Sequence, residues 1–300
     1  MLKVAYCTLY QQPLPDGHRF PMVKYELIPQ QLIHEGTCTE SNFFCPEKLD
    51  EKWVLAVHSV NYWQELHSLG LPAKMIRRIG FPLTAELVVR ELVIAQGTVD
   101  CCFFAQQHGV ALNVAGGTHH AYPDRGEGFC LLNDVGIAAN YLLEKQLATR
   151  ILVIDLDVHQ GNGTAVMFQN RPEVFTFSMH GSANYPLKKE ESDLDIALPT
   201  GTTDAEYLSI LHHTLPRLFE EHRPDFAFFV AGVDTLATDK LGHLSMTREG
   251  CRQRDEFVFK TCQHYQVPVV VSMGGGYSSR IADIVEAHCN TFRMASKLYF

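Results

Sequence analysis

The sequence predicts an α/β fold: a single three-layer α/β/α domain over residues 1–300 with a mostly parallel central sheet. Three observations predict it. Short β-rich runs alternate with longer helical stretches, with no low-complexity tract, linker or internal repeat between them. The later β-rich runs, such as Phe226-Ala-Phe-Phe-Val-Ala231, are continuously apolar, which suits strands covered on both faces. The residues with chemistry to offer stand just after those runs. Open α/β sheets bind their ligands there, outside the carboxyl ends of the strands.

Taken in order, Lys3–Leu9 reads as the first strand. Its apolar stretch breaks at Gln11-Gln12-Pro13, too early for a secretion signal, and no small-residue cleavage site follows. A helix is expected over Thr84–Gln107, a strand over Val110–Val114 and a helix over Asn133–Leu147. Ile151–Asp155 and Val174–Ser178 are the next strands. Thr203-Asp204 offers N-cap chemistry to a helix over Asp204–Glu221. Strand Asp225–Ala231 leads to a helix over Thr247–Tyr265, which Thr247 can cap. Strand Pro268–Ser272 and helix Ser279–Leu298 complete the pattern.

Composition narrows the function classes. The chain is 46% hydrophobic and 20% charged, too apolar for intrinsic disorder. Its formal net charge of -9 argues against nucleic-acid binding through a basic surface, and is compatible with a basic substrate or partner. Apolar runs fall well short of the ~20 residues of a membrane helix. The nine cysteines form no C-x-x-C pair, so reduced thiols and a cytoplasmic location are expected. The 15 histidines draw attention to metal and proton chemistry.

Five expected strand ends deliver such chemistry. They carry Gly116-Gly117-Thr118-His119-His120, Asp155-Leu-Asp157-Val-His159-Gln-Gly-Asn162, Ser178-Met-His180, Gly232-Val-Asp234 and Gly274-Gly275-Gly276-Tyr277. Asp157 and His159 stand at i and i+2, so an extended chain points both to one side. With Asp234 they would offer one nitrogen and two carboxylates to a catalytic divalent ion, Zn²⁺ being the first expectation. Each Asp alone would serve equally well as a helix cap or loop residue. A strand ending Asp-x-Asp-x-His, however, is costly to bury without an ion or partners. The adjacent imidazoles of His119 and His120 disfavour a second positive charge, which suits one as general base and the other as acid or electrostatic partner. Each needs an acceptor to fix its tautomer, and Asp155 and Asn162 are the candidates. Tyr277, after three glycines, could donate to a developing oxyanion or simply pack.

The ordered set GGTHH, DRGEGFC, DLDVHQGNG, AGVD and GGGY resembles the zinc-dependent histone deacetylase family, from about Tyr6 to the C-terminal helix. The resemblance implies the arginase/deacetylase fold, with one Zn²⁺ per chain held by Asp157, His159 and Asp234. It makes His120 the general base and His119 its assistant, oriented by Asn162 and Asp155 respectively, and Tyr277 the group that polarises the scissile carbonyl. Gly128 and Phe129 match the wall of an acyl-lysine tunnel, with Tyr185 the candidate for the facing wall and Gly275 lying against substrate. A monovalent cation, potassium, is implied beside Asp155 and Ser178. Many members carry Asp where this chain has Asn162, and a neutral amide raises the basicity of His120 less. That Asn, with DVHQGNG and DRGEGF, looks most like class IV and its bacterial relatives, which implies lysine deacylation with acyl chains that can exceed acetyl. Gln160-Gly161-Asn162 after the ligating His leaves no place for the second metal of the arginase branch.

The expected substrate is therefore an acyl-lysine protein or peptide. Two rivals are an amidohydrolase of acetylated polyamines or another small amide, and a silent acyl-lysine-binding module. The intact His119, His120 and Tyr277 argue against the second. The acidic run Glu190-Glu191-x-Asp193-x-Asp195 reads as a solvated loop or as an attractor for a cationic substrate. His18-Arg19 reads as a surface loop or a segment that reaches the site. His58, His212, His213 and the remaining histidines are assigned no chemistry.

Overall fold

Runs of Val, Ile, Leu and Phe form the middle of the molecule, and the helices that cover them carry the caps. In this computed structural model, which describes residues 1–300, the elements in chain order are β1 (Val4–Ala5), α1 (Lys24–His34), β2 (Phe43–Phe44), α2 (Glu51–Leu55), α3 (Val60–His67), α4 (Ala73–Ile79), α5 (Ala85–His108), β3 (Val110–Asn113), α6 (Asp134–Glu144), β4 (Ile151–Asp155), α7 (Asn162–Phe168), β5 (Val174–Gly181), β6 (Leu194–Leu198), α8 (Asp204–His222), β7 (Phe226–Val230), α9 (Arg248–His264), β8 (Val269–Ser272) and α10 (Ile281–Tyr299). The strands make one sheet in the order β2-β1-β3-β8-β7-β4-β5-β6. Every neighbouring pair is parallel, so all carboxyl ends open on one rim. β3, β4, β7 and β8 are buried along their whole length, as their unbroken apolar sequence requires.

The expected caps form. Thr203 and Glu206 close a capping box on α8, and Thr247 accepts from Gly250 N–H to cap α9. Asp204 accepts from Thr247 N at 2.8 Å and from its Oγ1 at 2.6 Å, so one carboxylate joins the two helix starts. α5 starts on Thr84, whose hydroxyl accepts from Leu87 N–H, and stops at Gly109, which adopts φ +85°. Its Leu87, Leu92, Val93, Ile94 and Val99 are buried, each stabilising by about 1.5–3 kcal/mol relative to exposure. No helix is long and apolar enough to cross a membrane.

Several elements depart from the sequence expectation. The first strand is only Val4–Ala5, because Thr8–Tyr10 turns into a 3-10 helix. α1 to α4 and the short β2 were not expected. α1 has Pro29 inside it, and α2 to α4 are at most eight residues long. β6 starts at the end of the acidic run, and only Leu194, Ile196 and Leu198 give it an alternating pattern at the sheet edge. β5 runs on to Gly181, past the expected end at Ser178.

Candidate metal centre and active site

β4 ends at Asp155, and the next four residues turn over the rim beside the loop that follows β7. Backbone N–H groups set the carboxylates there. Val158 N–H donates to Asp234 Oδ1 at 2.9 Å, and Gly275 N–H to Asp157 Oδ2 at 2.7 Å. This leaves Asp157 Oδ1 and Asp234 Oδ2 facing His159 Nδ1, each at 3.1 Å. One ligand atom from each of the three buried residues lies within 4.8 Å of the others. Close backbone approach makes this possible. A Cβ on Gly275 would collide with the Asp234 carboxylate, and one on Gly232 with that of Asp157.

The donor set fits a divalent cation. Two carboxylates are buried side by side with no Lys or Arg paired to either. Burial and the Asp157 charge raise Asp234 above the carboxylate range. Burial opposes a charge on His159, yet hydrogen bonds to Asp157 and Asp234 outweigh it and lift the imidazole to about 10. The pocket thus demands positive charge, and its nitrogen-and-two-carboxylate chemistry matches a catalytic site with an open position.

The Gly116-Gly117-Thr118 turn places the His pair. Thr118 donates to Asp134 Oδ1 from its N at 2.9 Å and from its Oγ1 at 2.7 Å. Both glycines have positive φ, and a Cβ on Gly116 would strike Asp134. His119 Nδ1–H donates to Asp155 Oδ2, and His120 Nδ1–H to Asn162 Oδ1, each at 2.6 Å. The ring centroids are 4.1 Å apart. Burial acts against charge on both, but the Asp155 and Asp157 carboxylates carry His119 up to about 9. His120, with burial, His119 and His159 all against it, is driven well down. Environments that push two neighbouring pKa values apart are how acid and base roles are divided.

Tyr277 follows β8 and is set by its backbone N–H, which donates to Asp239 Oδ2 at 2.6 Å. Burial, then the Asp234 and Asp157 charges, raise its phenol well above the usual value, so it stays a neutral donor. A 390 Å³ cavity leads from the surface to His120, His159 and Tyr277. Phe129 and Tyr185 both border it. Gly128 and Phe129 adopt φ +54° and +67° and are pinned to the end of α4, Gly128 N–H donating to Arg78 O and Phe129 N–H to Ile79 O. A Cβ on Gly128 would come within 2.6 Å of the His120 ring. Tyr185 stands edge-on to His120 with centroids 5.0 Å apart, and its hydroxyl donates to Glu127. Gly275 lines the inner part of the cleft. Ser178 pairs in register with Asp155 across β4 and β5, and its Oγ lies 2.9 Å from His180 Nδ1. The sequence-derived residues therefore gather on one rim.

Tyr122, Lys24, Leu241 and Arg78 stand around the site without a sequence signal of their own. Tyr122 OH accepts from Asn162 Nδ2 at 2.9 Å and donates to Glu190 Oε1 at 3.1 Å, which turns the Asn162 carbonyl toward His120. Buried Lys24 donates to Gly274 O at 3.2 Å beneath the Tyr277 ring. Leu241 and Arg78 border the mouth. His18 hydrogen-bonds Gly80 O and stacks on Phe81, so it buttresses the wall while Arg19 reaches the mouth. The acidic run is tied to its neighbours rather than free in solvent. Gln160 binds Asp195 and the Glu190 backbone, and Asp193 accepts from Thr176 N and Oγ1.

Comparison with known proteins agrees with this geometry. Residues 18–292 match the histone deacetylase domain model. An uncharacterized protein of Picosynechococcus sp. is 44% identical over 99% of both chains. Histone deacetylase 2 of Arabidopsis thaliana is 28% identical over 89% of this chain and 72% of its own. A solved histone deacetylase homologue, crystallised with SAHA, shares the fold at a TM-score of 0.85, with 24% identity over 99% of this chain and 84% of that one. The matched domain runs through the ends of β3, β4, β5, β7 and β8, and the chain belongs to the histone deacetylase family of amide hydrolases.

Proposed function

We propose that the chain is a zinc-dependent deacylase of the class IV kind that hydrolyses the Nε-acyl amide of lysine in the cytoplasm. The observation that carries the reading is the divergence of His119 and His120 beside a buried Asp-His-Asp donor set, at the end of a cavity bordered by Phe129 and Tyr185. Asp157, His159 and Asp234 would hold the ion. Once bound, it supplies Lewis-acid polarisation of the acyl carbonyl and lowers the pKa of water. Phe129 and Tyr185 grip the apolar lysine stem. Asn162 accepts the Nδ1–H of His120, which leaves Nε2 free to take a proton from the attacking water. His119, held charged by Asp155, stabilises the negative charge that builds during attack. Tyr277 donates its phenol hydrogen to the former carbonyl oxygen. A protonated imidazole then returns a proton to the leaving lysine nitrogen as the C–N bond breaks, giving a free amine and a carboxylic acid. Potassium beside Asp155 and Ser178 would stiffen the β4 end.

The test is a panel of acetyl-, butyryl- and myristoyl-lysine peptides beside acetylpolyamines, with metal analysis of the same sample. Turnover of an acyl-lysine peptide, lost on chelation and restored by Zn²⁺, is expected. Inactivity on every substrate with zinc bound would overturn the reading. So would full zinc occupancy in Asp157→Ala, for the ligand set.

A further inference from the structure

We propose that the mouth of the cleft selects acyl-lysine substrates that carry a carboxylate beside the acylated residue, and that Arg19 and Arg78 are the specificity-determining side chains. This rests on the deacylase reading and adds the substrate's charge to it. The protein is acidic overall, with a net charge of -9. The mouth is the opposite: the residues bordering the cavity include Arg19 and Arg78 and not one Asp or Glu. Charges beyond ~8 Å are largely screened at physiological salt, so the local sign decides what docks.

Both guanidiniums have capacity to spare. Arg19 lies with its guanidinium carbon 5.0 Å from the Phe129 ring centroid, in cation–π contact with the tunnel wall, and takes part in no ion pair of the molecule. A cation–π contact leaves the N–H groups of the fork available to a carboxylate. Arg78 is 55% exposed, and its one carboxylate, Glu127, is 3.3 Å away. Glu127 is also bound by Arg125 at 2.9 Å and accepts from the Tyr185 hydroxyl. Arg125 is held at 2.9 Å by Asp124 as well, so Arg78, Arg125, Glu127 and Asp124 balance, and Arg19, which has no ion pair, gives the mouth its excess of positive charge. An arginine fork matches a carboxylate in planar, two-point geometry. A carboxylate entering with the acyl-lysine could belong to a flanking Asp or Glu, or be the α-carboxylate of the acylated lysine itself. An acetylpolyamine, whose remaining amines are cationic, would meet like charge.

The experiment measures kcat and KM for acetyl-lysine peptides with Glu, Gln or Lys beside the acetyl-lysine, and for peptides ending in acetyl-lysine as free acid or as carboxamide. The Glu peptide or the free acid is expected to show a KM about 2- to 5-fold below its neutral partner, an advantage that fades in high salt. The ratio within each enzyme is its own control: Arg19→Gln and Arg78→Gln each shrink it, and the double variant brings it close to one. If the Glu peptides benefit, the recognised group is a flanking side chain. If only the free acid does, it is the lysine's own carboxylate. Equal KM values across both series, or a preference that survives in the double variant, would overturn the proposal while leaving the deacylase reading intact. If no peptide is turned over, that reading fails instead, and fluorescence anisotropy of labelled Glu and Lys peptides still decides the rim: tighter binding of Glu supports it, equal binding refutes it.

Discussion

Asn162 is neutral because its neighbours need it so. Its Nδ2–H donates to Tyr122 OH, whose single proton is already directed to Glu190. With a carboxylate at 162, that phenol would face two anions with one hydrogen. Asn162→Asp should therefore lose stability, by about 1–3 kcal/mol for a buried acceptor left unmatched. Urea denaturation of the variant checks this, and Asn162→Asp paired with Glu190→Gln should recover part of the loss. Tyr277 is the other decisive residue. If it acts as a single oxyanion donor, Tyr277→Phe should cost ~2.7–4 kcal/mol in kcat. Unchanged kcat in steady-state kinetics would remove it from the mechanism. Asn162 could be read from the chain as a partner for one of the histidines. Tyr122 could not, because what gives it a role is Glu190, 68 residues away and brought close only by the fold.

At the scale of elements, the ends of β4 and β7 are held together from behind. Arg254, wholly buried on α9, donates through one nitrogen to Gly232 O at 2.6 Å and to Leu156 O at 3.2 Å. These carbonyls precede Asp234 and Asp157 by two residues and one. Arg254 Nε donates to Asp255 at 2.8 Å, and Asp255 accepts from Thr291 of α10 at 2.6 Å. Arg254→Met leaves Asp255 buried and unpaired, and should cost ~3–5 kcal/mol. The double change Arg254→Met with Asp255→Asn should recover much of that in denaturation. Its two strand ends would still lack their clamp, so divalent metal retained after dialysis should stay below wild type. The central strands were legible because burial on both faces leaves unbroken apolar runs. β6 was not, because an edge strand needs only alternate residues, and here the others are Asp195 and the small Ala197. The short helices α2 to α4 carry too few turns for periodicity to stand out.

For the molecule as a whole, acid stability turns partly on a histidine that serves as a strut. Buried His58 donates from Nδ1 to Tyr122 O and accepts from Asn133 N–H on Nε2, at 3.0 Å each. It ties the His-pair loop to the start of α6. Burial, against the pull of the Tyr122 carbonyl, brings its pKa down to about 4. Above ~6.5 the ring is neutral both folded and unfolded. Below that the unfolded chain binds a proton that the folded one refuses, so stability falls as pH drops, until about 4. The full effect is roughly 3 kcal/mol. Urea unfolding at pH 7.5 and 4.5 should show a smaller acid-side loss in His58→Gln than in wild type, although the variant starts less stable.

The span of the Gly275–Asp157 bond bears on how the protein is made. The amide that orients the Asp157 carboxylate lies 118 residues further along the chain, and it can arrive only with β8, which inserts between β3 and β7. A nascent chain halted before that strand leaves the ribosome with the Asp157, His159 and Asp234 donor set but without the group that aims Asp157. Metal capture should therefore come late in synthesis, only after β8 has emerged, and a product interrupted before it would be inert as well as unstable.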